Sequence, residues 1–164
     1  DKSLSHSVEL YSLTKGFSMA GWRVGFAVGN KDAISSVTKL KSYIDYGTFQ
    51  PIQIASTVAL NELGEYPFEL SSVYKERREI IVENLEDLNF SVQESKATMF
   101  VWAKLPEKFR NDSLKFSLEL LEKSNVAISP GVGFGKYGEG YIRIALVENK
   151  QRIRQAMKNI KAAL

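Results

Sequence analysis

Apolar positions along this chain alternate between a two-residue and a 3.6-residue rhythm, and the switches between them predict its elements. Val8-Glu9-Leu10-Tyr11-Ser12-Leu13 reads as a strand, and Val24-Gly25-Phe26-Ala27-Val28 as a second, largely apolar one. Asn30 and Asp32 offer helix caps. Ala33, Ile34, Val37, Leu40 and Ile44 then recur at steps of three and four, which predicts a helix over 33–43. Gly47 and Pro51 punctuate the next stretch, and residues 52–63 resume a helix that Gly64 can stop. Leu70, Val73, Tyr74, Arg77, Ile80, Ile81, Leu85 and Leu88 mark one long amphipathic helix. Short strands are expected at 90–92, 99–105, 126–129 and 141–147. Asp112 or Ser113 can cap a helix carrying Leu114, Leu118 and Leu121. Asn149 can cap a last helix with Ile153, Ala156, Met157 and Ile160 inward.

This pattern divides the chain near residues 45–50. Residues 1–48 hold two strands and a helix, too little to bury their own apolar faces, so they read as a piece of a larger sheet. Residues 49–164 form an α+β unit of ordinary domain size. The chain is therefore expected to be the C-terminal part of a longer protein.

Composition narrows the function classes. Of 164 residues, 44% are hydrophobic and 25% charged, which suits a globular protein. The net charge of +3 is spread out, and the densest basic cluster, Lys75-Glu76-Arg77-Arg78, falls within a helical pattern as a solvated face. A basic stripe with stacking aromatics, the mark of a nucleic-acid binder, is missing. With no cysteine and one histidine, His6, the chain offers neither thiolate nor multi-histidine metal ligands, and no metal is expected. No apolar run is long enough to span a membrane, and residues 1–6 lack the apolar core of a signal peptide, so a cytoplasmic protein is expected.

The chemistry concentrates between the first two strands, in Tyr11-Ser12-Leu13-Thr14-Lys15-Gly16 and Gly21-Trp22-Arg23-Val24-Gly25. An amine must be uncharged to attack a carbonyl, and a lysine in water is almost wholly protonated near neutral pH. Desolvation or a neighbouring positive charge can change that, and Arg23 could supply the charge if it folds back toward Lys15. The Arg23 guanidinium matches phosphate oxygens, with Ser12 and Thr14 as hydroxyl donors beside it. Gly21 and Gly25 would allow close backbone approach or unusual torsions. A lysine, hydroxyls and an arginine so spaced suit a ligand bearing both an aldehyde and a phosphate, as pyridoxal 5′-phosphate does. In Tyr141-Ile142-Arg143-Ile144-Ala145-Leu146 the two-residue period puts Arg143 opposite the aliphatic face, either as an exposed residue or as a carboxylate ligand. The preceding Ser129-Pro130-Gly131-Val132-Gly133-Phe134-Gly135 could shape a substrate mouth.

In this order and spacing, the three segments resemble the class I/II (fold-type I) pyridoxal-phosphate aminotransferases. Met19-Ala20-Gly21-Trp22-Arg23-Val24-Gly25-Phe26, Asp45-Tyr46-Gly47-Thr48-Phe49 and Arg143-Ile144-Ala145-Leu146-Val147-Glu148-Asn149 look most like the alanine-type (glutamate–pyruvate) branch, with aspartate aminotransferases also similar. The resemblance implies an α/β fold: residues 1–48 would end the large cofactor-binding domain, and 49–164 would be the small α+β domain. It implies that Lys15 forms the Schiff base with the cofactor and acts as acid–base catalyst. Ser12 and Arg23 would hold the phosphate, and Arg143 the substrate α-carboxylate. Tyr46 would lie near the active site of a neighbouring subunit, since the family builds its sites at a homodimer interface. The substrates would be an L-amino acid such as alanine or aspartate and a 2-oxo acid such as 2-oxoglutarate, with neither nucleic acid nor membrane as partner.

Thr14 stands where the family more often has serine, with the hydroxyl kept. The family's partners for the cofactor ring precede the lysine by many residues, and only fourteen residues precede Lys15 here. The isolated chain is therefore expected to be nearly inactive. A pyridoxal-phosphate-dependent β-lyase or synthase of the same fold, or a non-catalytic aminotransferase-like sensor domain, would use the same anchors.

Overall fold

A computed structural model describes residues 4–164, with helices and strands mixed as expected. The chain divides into two compact units, Asp1–Leu70 and Ser71–Leu164.

In the first unit, β1 (Val8–Ser12) pairs antiparallel with β2 (Gly25–Gly29), from Val8 opposite Gly29 to Ser12 opposite Gly25. The first strand stops one residue short of its sequence expectation. The Ser12 hydroxyl accepts from the Thr14 N–H at 3.3 Å and so caps a one-turn helix, α1 (Leu13–Gly16). Lys15 thus sits on a helical turn rather than in a loop. The Asn30 side chain caps α2 (Lys31–Ile44), accepting from the N–H groups of Asp32 and Ala33 at 3.0 Å each. α3 (Gln50–Glu62) follows, with Pro51 in its first turn where a missing N–H costs nothing. Little is buried here: Leu13, Met19 and Ala59 make one small cluster. Every residue of β1 is exposed, and Val37, Leu40, Tyr43 and Ile44 on α2 face outward.

The second unit closes around a real core. α4 (Tyr66–Asp87), which carries the boundary between the units, brings Ile81 and Leu85 inward. An antiparallel sheet runs β3-β4-β6-β5, with β3 Ser91–Val92, β4 Phe100–Lys104, β5 Ser129–Pro130 and β6 Tyr141–Ala145. Val101 and Ala103 of β4 and Ile142 of β6 point into the core. α5 (Ser113–Ser124) and α6 (Lys150–Ala163) cover that face with Phe116, Leu120, Ile153, Met157 and Ile160. α6 behaves as its pattern predicts, with Asn149 accepting from the Arg152 N–H at 2.9 Å.

α5 forms as expected with Asp112 as its cap, and the leucines it carries, Leu114, Leu118 and Leu121, are all exposed. The buried stripe is Ser113, Phe116, Ser117, Leu120 and Ser124. Ser117 and Ser124 donate to the carbonyls of Ser113 and Leu120, at 2.9 and 2.6 Å. With their hydroxyls satisfied by the helix, they pack as small residues. The strand expected at 126–129 shrinks to Ser129–Pro130, while Val126 and Ile128 reach the core from irregular backbone. Among the described residues no helix is long and apolar enough to cross a membrane.

Candidate active site

Four of the six site residues expected from the sequence fall together in the first unit. Ser12 ends β1, Thr14 and Lys15 lie on α1, and Arg23 ends a short 3-10 turn at Ala20–Trp22. The Leu13 N–H donates to the Val24 carbonyl at 3.2 Å, which closes the connection between the strands. The Arg23 guanidinium folds back over that connection. Its Nη1 donates to the Ala20 carbonyl at 3.1 Å and to Thr14 Oγ1 at 3.4 Å. An arginine and two hydroxyls therefore converge beside the residue that bears the amine.

The two glycines around Arg23 behave differently. Gly25 is needed for space: a Cβ there would run into the carbonyl of Tyr11 and come within 3.2 Å of Ser12 Cα. Gly21 has open space around it. The unusual torsion falls on Arg23 itself, at φ 50° and ψ 49°. That left-handed conformation costs a non-glycine residue about 1–2 kcal/mol. Sequence reasoning expected strain at glycine and missed it at the arginine. Nothing in the residue type announces it, because the torsion is imposed by the turn returning into β2.

Tyr46 stands fully exposed between α2 and α3. With Leu13, Val24, Phe26 and Thr48 it lines an open cleft of ≈ 750 Å³. Asp45, in the same lining, takes both carboxylate oxygens to Lys41 Nζ at 2.7 Å and accepts from the Gly47 N–H at 2.8 Å. The Lys41 hydrogen bond, followed by that of Gly47, holds the Asp45 carboxyl below the usual aspartate range.

Arg143 lies in the second unit, in mid-strand on β6. Trp102 of β4 is its register partner on one side and Ser129 of β5 on the other. It is half-buried, and its Cζ is 4.2 Å from the ring centroids of both Phe100 and Phe134. Trp102 stacks on Tyr141 at 5.5 Å and meets Phe134 edge-on at 5.7 Å.

The loop carrying Phe134 is pinned at both ends. Gly131 and Gly138 lie back to back, so that a Cβ on either would occupy the other's carbonyl. Glu139, which sequence reasoning did not single out, accepts from the N–H groups of Ser113 at 2.6 Å and Gly140 at 2.8 Å. The Ser113 hydroxyl in turn accepts from the Val132 N–H at 3.3 Å. The backbone donors of Gly140 and then Ser113 hold the Glu139 carboxyl below the usual glutamate range.

The donor set of the first unit fits a phosphorylated aldehyde. Arg23, Ser12 and Thr14 present a fixed positive charge and two hydroxyls, and Lys15 supplies a primary amine on the same turn. Among the described residues no group of three or more acidic or histidine side chains is placed to hold a metal.

Comparison with known proteins shows the family. The family model for aminotransferase class I and II matches residues 3–160, and the chain belongs to that family, whose members depend on pyridoxal phosphate. It is 46% identical over 157 residues to glutamate-pyruvate aminotransferase AlaC of Escherichia coli (strain K12), covering 95% of this chain and 38% of that protein. To LL-diaminopimelate aminotransferase of Natranaerobius thermophilus it is 48% identical over 154 residues, covering 94% of this chain and 39% of that protein. The substrate-bound BacF structure from Bacillus subtilis superposes with a TM-score of 0.89 at 36% identity, over 95% of this chain and 40% of its own. The chain thus spans about 39% of the length of the relatives it matches, in the C-terminal part of the fold-type I architecture.

Proposed function

We propose that this chain is the C-terminal part of an aminotransferase that moves an amino group between an L-amino acid, such as alanine or aspartate, and a 2-oxo acid, such as 2-oxoglutarate. In this reading residues 1–48 end the large cofactor domain and 49–164 form the small domain. The enzyme works in the cytoplasm as a homodimer, with Tyr46 near the partner's site. The apolar residues left exposed on α2 support such an assembly.

The observation that carries the reading is the fold-back of Arg23 onto Thr14, next to Lys15. Arg23, Ser12 and Thr14 hold the phosphate and fix the ligand's orientation. When bound, pyridoxal phosphate supplies the aldehyde and an electron-withdrawing ring that makes the substrate Cα–H acidic. Lys15 Nζ would be the amine that holds the aldehyde end of the group and, as a free amine, would take the proton from substrate Cα. Arg143 takes the α-carboxylate as a bidentate pair.

Borohydride reduction of the full-length protein loaded with pyridoxal phosphate tests the anchor. Peptide mapping is expected to find the pyridoxyl group on Lys15; modification of another lysine, or of none, sinks the reading. Turnover with alanine, aspartate and LL-diaminopimelate against 2-oxoglutarate then assigns the donor. Pyruvate and ammonia released without an oxo-acid acceptor would indicate a β-lyase instead.

A further inference from the structure

Arg143 is held in an unusual way for a charge in mid-strand. Among the described residues it makes no ion pair. What surrounds its guanidinium is aromatic: the Phe100 and Phe134 ring centroids each lie 4.2 Å from Cζ. Phe100 comes from the same face of β4 as Trp102, one pleat away from Arg143's register partner. Phe134 comes from the pinned glycine loop and is steadied edge-on by Trp102. Ring faces carry negative charge and attract a cation, but they cannot accept the five N–H bonds that lie in the guanidinium plane. A carboxylate neighbour would fill that fork, whereas aromatic neighbours orient the group and leave the fork open.

We propose that Phe100 and Phe134 are positioning residues for Arg143, holding the guanidinium against their ring faces and leaving its N–H edge for the carboxylate of the substrate. This rests on the reading of Arg143 as the carboxylate ligand. The glycine loop then has a role as well, because the Gly131–Gly138 contact and the Glu139 bonds set where the Phe134 ring stands. Affinity for carboxylates then depends on residues that never touch the substrate.

The experiment uses the full-length enzyme loaded with pyridoxal phosphate, carrying Phe100→Leu, Phe134→Leu, Phe134→Tyr or Arg143→Leu. Phe100→Leu and Phe134→Leu are each expected to raise KM for both the amino acid and the 2-oxo acid by about three- to thirty-fold, with kcat within about twofold. Phe134→Tyr, which keeps the ring face, is expected to keep the parent KM. The half-reaction with a primary alkylamine, which has no carboxylate, is expected to be unchanged in the three phenylalanine variants. If Arg143→Leu raises KM and Phe100→Leu and Phe134→Leu do not, the positioning role is overturned while the carboxylate ligand stands. An equal loss with the alkylamine, or a Phe134→Tyr variant as poor as Phe134→Leu, overturns it as well. If Arg143→Leu leaves KM unchanged, the carboxylate reading itself fails.

Discussion

The two units hold their chemistry by opposite means. In the second, Arg143 stands on the inner strand of a four-stranded sheet whose other face is sealed by thirteen buried side chains. In the first, Lys15 and Arg23 stand in the connection between two paired strands, beside a buried cluster of three. Arg143 is held on a strand backed by burial. Lys15 and Arg23 are held by a serine cap and an arginine fold-back, against the cost of a left-handed torsion at Arg23. Area removed from water stabilises at about 25 cal/mol per Å², so the second unit holds its site through packing and the first through local geometry.

The largest expected effect tests that contrast directly. Leu85 is 0% exposed, and Leu85→Ala is expected to cost about 2–5 kcal/mol in denaturant unfolding. Leu10 on β1 is 83% exposed, and Leu10→Ala is expected to change stability by less than about 0.5 kcal/mol. Similar losses at both positions would break the comparison.

A smaller effect separates torsion from charge at Arg23. Glycine adopts the left-handed conformation freely, so Arg23→Gly is expected to leave stability unchanged or raise it by up to about 1 kcal/mol. Pyridoxal phosphate affinity of the full-length protein is expected to fall in both Arg23→Gly and Arg23→Ala. A stability loss in Arg23→Gly, read by thermal melting, would mean that the fold-back rather than the torsion dominates locally.

The smallest effect concerns Glu139. Its carboxyl is held below the usual range by the backbone donors of Gly140 and Ser113, so the charged form is favoured in the folded state. Its contribution is fully present above the ordinary glutamate value of about 4.3, and is lost as pH falls through the lowered one. Glu139→Gln is expected to flatten the acid-side stability profile below about pH 4.3 and to cost under about 1 kcal/mol at neutral pH. An unchanged acid-side slope would show that these bonds do not order the loop.

What was legible in the sequence follows from the same physics. α2, α4 and α6 announce themselves by periodic apolar residues and, for α2 and α6, an asparagine cap that the structure keeps. The lysine and the two arginines stand out because charge on an apolar strand, or between glycines, needs a partner. The inner face of α5 escapes the pattern because it uses serines, whose hydroxyls are silenced by the helix's own carbonyls. The Phe100–Arg143–Phe134 group was not visible because it depends on strand register and on where a loop lands, and both are set by contacts distant in sequence. The strain at Arg23 was hidden for the same reason.

The position of β6 also bears on time. At Ile142 and Arg143 its backbone is paired on both sides, to β4 and to β5, so these amides are expected to be among the slowest to exchange with solvent. Within this chain β1 and β2 have only each other as partners, so the Leu13–Gly16 turn draws on fewer backbone pairs than β6 does. A ligand that braces that turn is expected to show first as slowed exchange at Leu13 and Thr14.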